Sequence, residues 1–124
     1  MSMRRQPAQA SRKPLSQPVL HILLALADGG RHGYAIKQHV EDRTGGSLRL
    51  GPGTLYEAIQ RLQDGGLIEE TSTRARGSSH GQEAQRRYYA LTERGWDVLR
   101  DELRQLDAIV EHARANPRLR KGLA

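Results

Sequence analysis

The sequence predicts an α+β fold, mostly α, in which three short helices precede a β-hairpin and one long helix follows it. Three observations carry that expectation. Apolar residues recur at helical spacing in three separate segments before residue 65, the pattern turns strand-like across residues 67–91, and from Trp96 onward the apolar steps become 3, 4, 3, 4, 3. A chain of 124 residues with 36% apolar side chains supports one core rather than two.

Residues 1–14 show no apolar period and are rich in Pro, Gln, Ser and Arg, the composition of a disordered basic arm. The folded part is expected to start at residue 15. Ser16 has the side chain of a helix cap, Pro18 suits a first turn, and Val19, Ile22, Leu23 and Leu26 follow the i, i+3, i+4, i+7 rule. Asp28-Gly29-Gly30 ends that helix. His32-Gly33-Tyr34 opens a second, with Ile36 and Val40 on one face, and Thr44-Gly45-Gly46 breaks it. The third helix starts at Gly51-Pro52-Gly53 and ends at Asp64-Gly65-Gly66. Its Leu55, Ala58, Ile59 and Leu62 form a complete buried stripe. At about 100° per residue the opposite side holds Gly53, Glu57, Gln60 and Asp64, flanked by Tyr56 and Arg61.

Leu67-Ile68-Glu69-Glu70-Thr71-Ser72-Thr73 reads as a strand, residues 74–85 as a polar loop, and Arg86-Arg87-Tyr88-Tyr89-Ala90-Leu91 as the returning strand. Four Arg against Glu83 between Arg74 and Arg87 give this hairpin a basic tip, at +3. Thr92 can cap a last helix reaching about Arg114, a length of about 30 Å. Its apolar residues Trp96, Leu99, Leu103, Leu106, Val110 and Ala113 make a heptad seam, which calls for a partner helix. Asn116-Pro117 should stop it. The expected organisation is therefore an arm (1–14), a helical and hairpin domain (15–91), a dimerisation helix (92–114) and a loose basic tail (115–124).

Composition excludes several classes. With no Cys there is no disulfide framework, thiolate zinc site or cysteine nucleophile, and a reducing, cytoplasmic setting is expected. No apolar run approaches the ~20 residues that span a bilayer, so no membrane partner is expected. A basic leader followed by residues 19–27 resembles a signal peptide, but His21 interrupts the run and the same residues serve as a helix. The five His offer no metal site: His32 and His39 are seven apart, with no HExxH and no third ligand at helical spacing. Gly51-Pro52-Gly53 lacks the GxxxxGK of a phosphate loop. No nucleophile and base are paired, so neither an enzyme nor a cofactor is expected. The net charge of +6 lies in the tails, where residues 1–14 carry four basic side chains and 115–124 three, leaving residues 15–114 at −1.

Three helices, the third with a polar outer side, followed by a hairpin are the parts of a winged helix-turn-helix. Such a third helix has the width the DNA major groove admits, with the hairpin alongside on the phosphates. Backbone N–H groups near Gly53 and Thr54 suit a phosphate oxygen, Tyr56, Gln60 and Arg61 can reach bases or sugars, and Arg86 and Arg87 can hold the backbone. Alternatives accompany several, a solvated helix face for Gln60 among them. Tyr56 can instead pack under the wing, Arg86 and Arg87 can be solvated strand-end charges, and Glu57 can form an i, i+4 pair with Arg61 rather than accept from cytosine. Trp96 and the seam, namely Leu99, Leu103, Leu106 and Val110, suit a plain dimer core, while Trp96 is also a candidate wall for a small-molecule effector. The leading expectation is a homodimeric repressor on a palindromic duplex site. The rival is a winged helix used for protein interaction, without specific DNA binding.

The runs Gly33-Tyr34, Gly53-Thr54-Leu55-Tyr56, Arg61-Leu62 to Gly66-Leu67-Ile68, and Arg87-Tyr88-Tyr89-Ala90-Leu91-Thr92-Glu93-Arg94-Gly95 resemble the PadR-like transcriptional regulators. The likeness covers about residues 15–114 in order and spacing. It implies a winged-helix fold, repressor-type DNA binding and a homodimer built through the C-terminal helix, in the family's compact branch. It maps the recognition helix onto residues 52–64 and the wing onto 67–91. Some compact members hold flat aromatic effectors in a dimer cavity beside an aromatic residue midway along the last helix, where this chain has Leu106.

Overall fold

A computed structural model describes residues 13–71 and 87–123. Its elements are α1 (Gln17–Ala27), β1 (Arg31–His32), α2 (Gly33–Arg43), α3 (Pro52–Asp64), β2 (Ile68–Thr71), β3 (Tyr88–Leu91), α4 (Glu93–Arg114) and α5 (Pro117–Arg120). The expected mostly helical α+β architecture, with three helices, a hairpin and a long final helix, is what forms.

Local chemistry sets the boundaries. The Ser16 hydroxyl accepts from the Val19 N–H at 3.3 Å and starts α1. The imidazole of His32 does the same for α2, its Nδ1 accepting from the Ala35 N–H at 3.3 Å. Ile22, Leu23 and Leu26 of α1 meet Ile36 and Val40 of α2 and Leu55, Ile59 and Leu62 of α3 in one core. Burial of such side chains contributes about 1.5–3 kcal/mol each.

The sheet has three strands in the order β1-β3-β2, all antiparallel. Ile68 pairs with Leu91 and Thr71 with Tyr88, while Arg31 and His32 lie opposite Tyr89 and Tyr88. β1 is absent from the sequence expectation because two residues have no period to display. The expected strand residues Ser72, Thr73 and Arg86 and the loop between them lie outside the described residues.

The start of α4 is fastened to the end of α3. Thr92 caps the helix by accepting from the Gly95 N–H at 3.0 Å while donating its hydroxyl proton to the Gly66 carbonyl at 2.6 Å. Its own N–H donates to the Leu67 carbonyl at 3.1 Å, and Arg94 Nε donates to the Gly65 carbonyl at 3.1 Å. Gly95 allows this approach, since a Cβ there would run into the Leu67 carbonyl oxygen. Beyond α4 the chain differs from the loose tail expected. Asn116 Oδ1 accepts from the Arg118 N–H at 2.9 Å, Pro117 begins a single turn of helix, and Arg114 Nη1 donates to the Leu123 carbonyl at 2.8 Å.

Candidate nucleic-acid interface

α3 is held by one side only. Leu55, Ile59 and Leu62 are buried to 5% exposure or less, whereas Gly53, Thr54, Tyr56, Glu57, Gln60, Arg61 and Asp64 are all exposed. No described part of the chain covers that polar side. Gly51 is the N-cap and supplies no side-chain hydrogen bond, and Pro52 has no N–H, so the amides of Gly53 and Thr54 face outward without a capping side chain. A Cβ on Gly53 would meet nothing within 4 Å, so the glycine is not a packing requirement.

Along the outer side, Gln60 Nε2 donates to Asp64 Oδ1 at 3.2 Å. The Glu57–Arg61 pair considered from sequence does not form among the described residues. Tyr56 is half exposed, and its ring rests on the first turn of α2. A Cβ on Gly33 would collide with its hydroxyl and come within 2.8 Å of a ring carbon. Gly33 thus makes the seat that aims Tyr56.

At the wing base, Arg87 is exposed and its Nη1 lies 3.5 Å from Glu70 Oε1 across the β2–β3 pair. Arg86 lies outside the described residues. Tyr89, opposite Glu70 in the β2–β3 pair, has its phenol pushed up by burial and secondarily by Glu70. Where α1 ends near α2, His39 Nε2 stands 3.3 Å from Asp28 Oδ2, which also faces Arg31 at 3.8 Å. Burial pulls this histidine below its usual value, helped by the charges of Arg31 and Arg43.

The seam of α4 divides. Leu99, expected in a dimer interface, is 3% exposed and belongs to the core of its own protomer, because the first turns of α4 lie against α1. Trp96, Leu103 and Leu106 remain 37–40% exposed, and Val110 is half-buried. Ile109 is 63% exposed beside them; it lies off the strict heptad steps but within a broader helical face. Leu24, Ala27, Trp96, Leu99, Arg100 and Leu103 line a cleft of about 280 Å³ between α1 and α4. Among the described residues no cluster of His, Cys, Asp or Glu could hold a metal ion, and no helix is long and apolar enough to cross a membrane.

A core-anchored helix with a bare polar side, next to a hairpin, defines a winged helix-turn-helix protein. Residues 22–101 match the model of the transcriptional regulator PadR-like family, and the chain belongs to that family, which consists of regulators rather than enzymes. An uncharacterized 37.1 kDa protein in transposon TN4556 of Streptomyces fradiae is 38% identical over 81 residues, 65% of this chain and 20% of that one. The chain thus spans about a fifth of that relative's length. Among solved structures, a PadR family transcription regulator from Clostridium difficile R20291 is 26% identical with a TM-score of 0.60, covering 78% of this chain and 97% of that one. Bacillus subtilis PadR in complex with operator DNA is 26% identical with a TM-score of 0.56, covering 68% of this chain and 45% of that one.

Proposed function

We propose that two copies of this chain bind a two-fold symmetric duplex site as a repressor, each laying α3 in the major groove. One observation carries this: the polar side of α3, from Gly53 to Asp64, is bare while its apolar side is fixed in the core. A helix so held presents Gln60, Arg61 and Tyr56 to base edges and sugars without first having to order them. The outward amides of Gly53 and Thr54 suit a phosphate oxygen. Bacillus subtilis PadR, solved with operator DNA, supports the same use of this fold.

The homodimer rests on α4, where Trp96, Leu103, Leu106, Ile109 and Val110 leave an apolar strip uncovered in a single chain. A two-fold partner would cover it and set the half-site spacing. The cleft beside Trp96 lies along that strip, and a small apolar effector entering it would shift the two recognition helices relative to each other. The setting is cytoplasmic, with the DNA.

Selection from random duplexes with the full chain tests the proposal. Enrichment of a palindrome is expected, with affinity falling steeply as salt rises. A pool that stays random would leave the winged helix as a protein-interaction module instead.

A further inference from the structure

Resting on the DNA-binding reading above, we propose that Arg49 clamps a backbone phosphate beside the start of α3. Charge creates the need for such a group. The outer side of α3 carries Glu57 and Asp64 against Arg61 alone, so it does not by itself attract a polyanion. At the wing base Arg87 already faces Glu70, with Glu69 next along the strand. Of the Lys and Arg described between residues 17 and 114, six, Arg87 among them, face a carboxylate, Arg94 donates to the Gly65 carbonyl, and Arg43, Arg49 and Arg61 do neither. Among the described residues of that span, these three keep guanidinium groups without such a partner.

Arg49 is the one the fold aims. Leu48 packs against the core and Leu50 is buried to 3%, so the intervening side chain is driven outward, and Arg49 is exposed. The connection that carries it is stiff. The Thr44 hydroxyl donates to the Val40 carbonyl at 2.9 Å and accepts from the Leu48 N–H at 3.1 Å, and the Gly46 N–H donates to the Glu41 carbonyl at 2.8 Å. Gly45 and Gly46 hold φ of +63° and +86°, a conformation that makes the turn tight and that other residues rarely adopt. Arg49 passes over Gly46, its Nη2 3.9 Å from where a Cβ would stand. It lies two residues before the N-cap Gly51, next to the first turn of α3. A cation carried on a backbone already fixed before contact loses less chain freedom on binding than one on a loose segment.

Salt dependence of binding tests this, using the full chain and a duplex selected by the wild type. One phosphate contact contributes about 0.9 to the slope of log affinity against log salt. Arg49→Ala should remove about that much, so that raising salt from about 50 to about 200 mM costs the variant roughly 3-fold less affinity than it costs the wild type. Arg49→Lys should restore the slope, since a phosphate accepts any point charge, and Arg87→Ala should change it less than Arg49→Ala does. Wild-type binding with an Arg49→Ala slope equal to the wild type's would overturn the clamp and leave the DNA reading intact. A wild type that binds no duplex would overturn both.

Discussion

Gly95 has a neighbour that cannot give way, the Leu67 carbonyl, which already accepts from the Thr92 N–H. Gly95→Ala would gain up to about 1 kcal/mol of helix propensity. Forcing a methyl against a backbone oxygen costs about 1–3 kcal/mol or more, so the clash wins and the urea midpoint should fall. A midpoint that rises would mean that α4 can lift off the α3–β2 turn freely. His39 supplies a second residue-scale expectation. Burial first, then Arg31 and Arg43, hold its folded pKa below the unfolded value, against the pull of Asp28 and Asp42. The unfolded chain therefore takes the proton more readily. Its contribution to stability is full above about pH 6.5 and is lost as pH falls through the folded pKa. Melting temperatures between about pH 5 and 8 should drop more on the acid side for the wild type than for His39→Gln. Parallel profiles would exonerate His39.

At the scale of elements, those with their own period and cap were legible in the sequence. Ser16 and Thr92 marked two helix starts, and the Leu55, Ile59 and Leu62 stripe told which side of α3 would be bare. What sequence spacing does not carry is which neighbour an element meets. β1 exists because residues 31–32 fall opposite Tyr88 and Tyr89, a consequence of how α1 and α2 are joined. Leu99 has the same heptad spacing as Leu103, yet Leu99 is packed into the core while Leu103 stays 40% exposed along the open cleft beside α1. Glu70 and Arg87 become neighbours through sheet register, seventeen residues apart in sequence. Arg49 left only the faint signal of a charge between two leucines. Tyr56 could not be assigned a seat until Gly33 came beneath it.

For the whole molecule, a single chain leaves an apolar strip on α4 that a partner copy would cover. Leu106→Asp should be tolerated within one protomer, where that residue is 37% accessible, but it would put an unpaired charge into a dimer seam. Sedimentation should then report a monomer with unchanged helical content. A variant that still sediments as a dimer would place the two-fold contact elsewhere. The deepest dependence is on α3, whose polar side has to meet base edges if the molecule reads sequence at all. Repeating duplex selection with Gln60→Ala tests that most directly. A changed preference at one base position in each half-site, with an unchanged melting temperature, is the result expected of a reading helix. The same enriched sequence as the wild type, at the same affinity, would contradict it.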